Sequence, residues 1–287
     1  MIEVGIATAR RAALACQTVT YIMQSQTLVA PISVSVSSSS DFTWDSPLDR
    51  PKVLHGPRGL PAQRNTILHA TSADIVIFLD DDFLPASDFV EEALRLFAEN
   101  PDIVVATGKL LADGARTGGL EFEDGLQIVA NAGENNGDMP IEAYGAYGCN
   151  MIVRMAPVRK HGLRFDENLP LYAWQEDIDF SRQLARYGRV VRAPRLRGVH
   201  LGTKRSGRSP GKQLGYSQIA NPYYLIRKGT MSKRFAWRLI RNNVGGNILR
   251  FVRPEPTVDR RGRLIGNAIA VWDIIVGRSD PKRILEL

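Results

Sequence analysis

The chain has 287 residues, 44% hydrophobic, 23% charged and 8% aromatic, ordinary fractions that exclude a disordered, collagenous or low-complexity protein. Two cysteines, Cys16 and Cys149, are too few for a disulfide framework and suit a reducing compartment. The net charge of +7 is uneven: from residue 201 onward 18 Lys/Arg stand against 5 Asp/Glu, which is +13 and leaves −6 for the remainder. No run approaches the roughly 18–20 apolar residues of a membrane helix. Residues 1–6 lack the basic start and apolar run of a signal peptide, so a cytoplasmic protein is expected.

In chain order, residues 2–7 read as a short buried strand and 12–26 as a helix that Pro31 ends. Ile32-Ser33-Val34-Ser35-Val36 alternates as a strand, closed by four serines and Asp41. Turn residues dominate 47–61, predicted as loop, and Pro61 suits the first position of a helix to about Ala70. Ala73-Asp74-Ile75-Val76-Ile77-Phe78-Leu79 is almost continuously apolar after its Asp, the pattern of a central strand covered on both faces. Ser87 is the expected cap of a helix with Phe89, Ala93, Leu96 and Phe97 on one face, and residues 103–107 read as a further strand. Strands alternating with helices predict an α/β fold with a mostly parallel sheet.

Three segments carry chemistry. Asp80-Asp81-Asp82 follows the apolar strand directly, and ligands of open α/β sheets bind beyond the carboxyl ends of strands. Three adjacent carboxylates repel unless a cation sits among them, and hard oxygen donors suit Mg²⁺ or Mn²⁺. Trp174-Gln175-Glu176-Asp177-Ile178-Asp179-Phe180 opens a helix in which Glu176 and Asp177 occupy the first turn. There the helix dipole keeps a carboxylate charged and ready to accept a proton. His200, bordered by Gly198 and Gly202 after a predicted strand, could join the acids as a metal ligand, although spacing alone does not bring them together.

In this order the segments resemble the family 2 glycosyltransferases, over residues 2–202. The resemblance rests on Gly59-Leu60-Pro61-Ala62-Gln63-Arg64-Asn65 ahead of the acidic triplet and on Gly148-Cys149-Asn150-Met151-Ile152-Val153-Arg154. Phe165-Asp166-Glu167 leading to Glu176-Asp177-Ile178-Asp179, and finally Val199-His200, complete it. It implies a GT-A type, Rossmann-like, mostly parallel sheet flanked by helices at 1–202. A nucleotide-sugar half would span about 1–110 and an acceptor half about 111–202, with a basic, mainly helical extension at 203–287.

The resemblance also implies roles. Asp82, Asp80 and His200 would hold Mn²⁺ or Mg²⁺. Thr8, Ala9, Arg10, Ser37, Arg64, Asn65, Asp80 and Asp81 would bind the donor nucleotide, with Arg64 and Asn65 near the base. Asn150, Trp174 and Glu176 would hold the acceptor or donor sugar, and Asp177 would be the catalytic base of an inverting transfer. The donor would be a UDP, GDP or dTDP sugar and the acceptor a hydroxyl of a glycan or lipid-linked chain. A non-catalytic nucleotide-sugar-binding protein on the same fold is the alternative.

Two departures leave the nucleotide open. Ser37-Ser38-Ser39-Ser40 replaces an acid-rich end of the second strand, with Asp41 displaced, and the first loop, Ala7-Thr8-Ala9-Arg10-Arg11, lacks the family's common Pro and Asn. The Gln-X-X-Arg-Trp signature and membrane helices of processive synthases are also missing, which points to single addition. In a bacterium the family would place such a transferase in polysaccharide assembly. The basic tail, with Trp237, Leu239 and Arg238 in close succession, suits a peripheral site on the anionic inner face of the plasma membrane. No zinc-finger spacing or RNA-recognition motif points to nucleic acid.

Overall fold

A computed structural model describes residues 1–133, 139–203, 210–251 and 258–287. The elements are β1 (Ile2–Ala7), α1 (Ala12–Ser25), β2 (Ile32–Val36), β3 (Lys52–His55), α2 (Leu60–Ala70), β4 (Ile75–Asp80), β5 (Phe83–Pro85) and α3 (Phe89–Glu99). They continue with β6 (Ile103–Asp113), α4 (Gly114–Thr117), α5 (Phe122–Ala130), β7 (Ile141–Glu142), β8 (Asn150–Arg154), α6 (Met155–His161), α7 (Glu176–Leu184) and β9 (Arg189–His200). Among the described residues α8 (Gly211–Lys228), α9 (Lys233–Phe251) and α10 (Arg260–Ile275) follow, then a 3-10 helix at Pro281–Leu285.

One sheet runs β3-β2-β1-β4-β8-β6-β9-β5, with β7 also paired to β9. Its first four strands are parallel, as are β6 and β9, while β8 enters antiparallel between β4 and β6. A strand from the expected acceptor half therefore sits inside the nucleotide half, and the two halves share one sheet. Three local expectations change. β3 lies in the stretch read as loop and adds a parallel edge strand beside β2. Asp88, not Ser87, precedes α3 as its cap position, and β6 runs to Asp113 rather than stopping near Thr107.

The apolar run of β4 is explained by helices on both of its faces. Ile75, Ile77 and Leu79 pack with α1 and α3 through Val19, Ile22, Phe89 and Phe97. Val76 and Phe78 point the other way, onto Ile67 of α2 and onto Phe165 and Phe180. Alternation with period two thus feeds two cores from one strand.

The basic extension is an integral part of this body. Leu225, Met231 and Ala236 share a buried cluster with Leu169 and Ala173, just ahead of α7. Gly215 of α8 and Gly266 of α10 allow the two helices to touch, since a Cβ at either would fall 2.1 or 2.0 Å from opposing backbone carbonyls. Residues 204–209, at the expected start of the extension, lie outside the described residues. No helix among the described residues is long and apolar enough to cross a membrane.

Candidate active site

Sheet register assembles the acidic site. Asp80 ends β4 and lies level with Ala7 of β1, so the triplet leaves the sheet at its carboxyl edge. β5 then pairs Phe83 with His200 of β9, and the parallel ladder of β6 and β9 sets Asp113 opposite the same histidine. Residues far apart in sequence become neighbours. His200 Nε2 is 3.5 Å from Asp82 Oδ1 and 3.9 Å from Asp80 Oδ2, while Nδ1 is 2.9 Å from Asp113 Oδ1. Asp80, Asp82 and His200 each offer one ligand atom within 4.8 Å of the others. Asp113 accepts from Nδ1, an outer-shell arrangement common to metal-binding histidines, and Nε2 faces the two carboxylates, where a cation would take the place of its proton. Two carboxylate oxygens and an imidazole suit Mn²⁺ or Mg²⁺, and this donor set fits the expected ion.

The electrostatics describe a site built for positive charge. Burial alone would lower the His200 pKa, but Asp113, Asp82 and Asp80 overrule it and raise it to about 10. Burial opposes ionisation of Asp82, yet His200, Arg11 and the Thr203 N–H hold it well below the ordinary carboxylate range. Burial pushes Asp81 up to about 7 in spite of Arg11 and the Thr8 hydroxyl.

Arg11 enters this acidic group directly. Its guanidinium pairs with Asp81, donates to Asp82 Oδ2 at 3.0 Å and to Thr203 Oγ1 at 3.1 Å. Arg10, the expected donor contact, is exposed with φ of 60°, and its backbone N–H donates to Asp41 Oδ1 at 2.9 Å. Asp41 also accepts from the Ser37 and Ser38 N–H groups and from the Ser37 hydroxyl. Burial resists its ionisation, but these donors lower its pKa, so the displaced acid folds back onto the end of β2 and occupies Ser37.

A second group forms at the start of α7. Arg64, only 2% exposed, donates to Glu176 Oε1, to Asp80 Oδ1 at 3.1 Å and to the Gly148 carbonyl at 2.8 Å. A Cβ at Gly148 would lie 3.2 Å from Arg64 and 3.3 Å from Glu176, so glycine leaves room for this bridge. Burial pushes the Glu176 carboxyl up to about 8 against the pull of Arg64, and its Oε2 has no hydrogen-bond partner among the described residues. Asp177 is half-buried and accepts from the Ile178 and Gly148 N–H groups at 2.8 and 3.0 Å. Its pKa is raised, chiefly by burial.

These groups line one cavity of about 250 Å³, in which Asp80, Asp82 and His200 face Trp174, Glu176 and Asp177. An adjoining cavity of about 190 Å³ is bordered by Thr8, Ala9, Arg10, Arg58 and Asp81 and shares Asp80, Arg11 and Tyr172 with the first. Four expected contacts are placed elsewhere, among them Ser37, which lines neither cavity and is held by Asp41. Arg64 lines the α7 cavity rather than the one beside Thr8. Asn65 is consumed by Phe165 and Glu167, where it ties α2 to the loop before α7. Asn150 accepts from Thr107 and Gly108 inside the sheet and lines neither cavity. Arg11, Asp113, Tyr147, Tyr172 and Thr203 are additional site residues. The Asp113-Gly114 pair was a turn signal in the sequence that could have marked the end of β6.

Residues 44–161 match the family model described as Glycosyl transferase family 2. The chain carries a glycosyltransferase family 2 domain. The match spans Arg64, the acidic triplet and β8, and the cavity adds Asp177 and His200 from outside it. Among solved structures, S. aureus TarS 1–349 is similar with a TM-score of 0.59 and 12% identity, over 99% of this chain and 82% of that one. The mannosyltransferase PcManGT from Pyrobaculum calidifontis, in complex with GDP-Man and Mn²⁺, gives 0.57 and 14%, over 99% and 84%. TarS 1–349 in complex with UDP-GlcNAc gives 0.56 and 15%, over 99% and 82%. These likenesses show that the family 2 domain has the GT-A fold of known glycosyltransferases. A search of curated proteins returns no match.

Proposed function

We propose that this family 2 transferase moves a sugar, with inversion, from a nucleoside diphosphate donor to a hydroxyl of a glycan or lipid-linked acceptor. One observation carries the reading: a candidate cation site of Asp80, Asp82 and His200 shares a cavity with the carboxyl groups of Glu176 and Asp177. Solved structures of the same fold hold GDP-Man with Mn²⁺ and UDP-GlcNAc, which supports a nucleotide-sugar donor.

Asp80, Asp82 and His200 would hold Mn²⁺ or Mg²⁺, which when bound supplies Lewis-acid neutralisation of charge on the departing diphosphate. Thr8, Ala9 and the loop around Arg58 border the space for the nucleotide. Arg64 fixes Glu176 relative to Asp80 and thereby sets the acceptor side against the donor side. Asp177 takes the proton of the acceptor hydroxyl while that oxygen bonds to the anomeric carbon and the bond to diphosphate breaks. Its raised pKa makes it a better base than a solvated carboxylate. Trp174 offers a flat apolar surface to a sugar ring.

The test is calorimetric titration with UDP, GDP and dTDP, with and without Mn²⁺, followed by turnover of the sugar donors of whichever nucleotide binds. Metal-dependent binding of one nucleotide, lost in Asp82→Ala, is expected. Asp177→Asn should keep that affinity and lose about 10²–10⁴-fold in turnover. Retention at the anomeric centre, or near-normal turnover by Asp177→Asn, overturns the mechanism. Binding without turnover of any donor would assign the non-catalytic alternative.

A further inference from the structure

Helices α9 and α10 have two unlike sides. Inward, Phe235, Ala236 and Leu239 join the cluster ahead of α7, and Ile240 and Val244 pack with Tyr216 and Ala270. Outward, α9 presents Trp237, 69% exposed, and α10 presents Trp272 at 57% and Ile275 at 70%. Between the helices lies a groove of about 790 Å³ with Ile219, Val244 and Val271 on its walls and Arg234, Arg238 and Arg241 at its edge.

Charge decides what fits there. Helix α9 contains no carboxylate. Asp273, the one carboxylate of α10, is fully buried and bound by Tyr216 and Arg278. A second copy of this surface would bring its arginines against these arginines, and like charges in contact are repulsive. A nucleic acid would satisfy the arginines but leave the aliphatic stripe in water. An anionic lipid surface supplies both needs, headgroup charge for the arginines and an acyl boundary for tryptophan, isoleucine and valine.

We propose that the outer face of α9 and α10 docks on an anionic membrane surface, with Trp237, Trp272 and Ile275 entering the headgroup–acyl boundary and Arg234, Arg238 and Arg241 meeting lipid phosphates. The docking face is rigidly joined to the acceptor side of the cavity. Phe235 stacks on Tyr144 at 4.1 Å, and Asn221 of α8 donates to the Trp174 carbonyl at 2.8 Å. Docking is measured without donor or acceptor, so its failure leaves the transferase reading untouched.

The experiment is vesicle co-sedimentation of the full chain on phosphatidylcholine alone and on phosphatidylcholine with about one-third phosphatidylglycerol. Binding to the anionic vesicles that weakens as salt rises is expected. Neutralising Arg234, Arg238 and Arg241 together to Ala should weaken it about 100-fold, and Trp272→Glu should weaken it at least about tenfold. All of these side chains are exposed, so the variants should melt like the wild type by circular dichroism. Equal binding to both vesicle types, or folded variants that bind like wild type, overturns the proposal. So does a dimer in sedimentation equilibrium that Trp272→Glu dissolves while vesicle binding is absent, which would assign the face to a second copy.

Discussion

Replacing Lys228 with Met should unfold this protein more easily although Lys228 touches neither cavity. Its ammonium donates to Asp166 Oδ2 at 2.6 Å and to Asp179 Oδ2 at 2.7 Å. Asp179 is completely buried in the first turn of α7, the turn that also holds Glu176 and Asp177. Methionine keeps the length of the aliphatic stem but leaves two neighbouring carboxylates without their cation. Removing one partner of a buried ion pair costs about 3–5 kcal/mol. Lys228 is 26% exposed, and Thr230, Gln183 and Tyr224 still donate to the two acids, so the expected loss is about 2–4 kcal/mol. That corresponds to a fall in Tm of roughly 3–7 °C for a chain of this size. The sign of the pH dependence also follows. Burial resists ionisation of Asp166, but Lys228, Asn168 and Tyr224 outweigh it and put its folded pKa below 3.8. The stabilisation is therefore complete above pH 3.8 and disappears as pH falls through the folded value. Urea unfolding of wild type, Lys228→Met, Asp179→Asn and the double variant at pH 7 measures the coupling. A loss below about 1 kcal/mol in Lys228→Met, or coupling below about 0.5 kcal/mol, would refute the claim that this lysine secures the start of α7.

Asp113→Asn, which alters the partner of His200 Nδ1 but keeps an oxygen to accept from the Ala115 N–H, should weaken Mn²⁺ binding about 10–100-fold in an electron paramagnetic resonance titration; unchanged affinity would reject the positioning role. Glu176→Gln should be more stable than wild type at high pH only. The buried carboxyl keeps its proton up to about pH 8, whereas the unfolded chain releases it near 4.5, so wild type loses stability as pH rises through that window. Equal stability at pH 5 and a gain of about 2–4 kcal/mol for the variant at pH 9 are expected from urea unfolding, and a gap that does not change with pH would reject the shift.

Much of the frame of the candidate site was legible in local patterns. The apolar run into Asp80-Asp81-Asp82 announced a central strand with acids at its carboxyl end, and helical spacing after Gln175 put Glu176 and Asp177 in a first turn. Both are short-range properties of periodicity and capping. Which side chains meet was decided by register between distant strands. His200 reaches Asp82 because β9 pairs with β5, and it gains Asp113 because β6 runs parallel to β9. Adjacent arginines diverged locally: Arg10, at a positive φ, borders the cavity beside Thr8, while Arg11 enters the acids. Composition alone established that the last third carries the positive charge. Only packing on α8 and the loop ahead of α7 decided that Phe235 and Leu239 pack inward, partly buried, while Trp237 faces out among arginines. Hydrophobic pattern determines which elements form because it acts over a few residues. A site made from residues far apart in sequence depends on how those elements pair, and pairing is a property of the whole sheet.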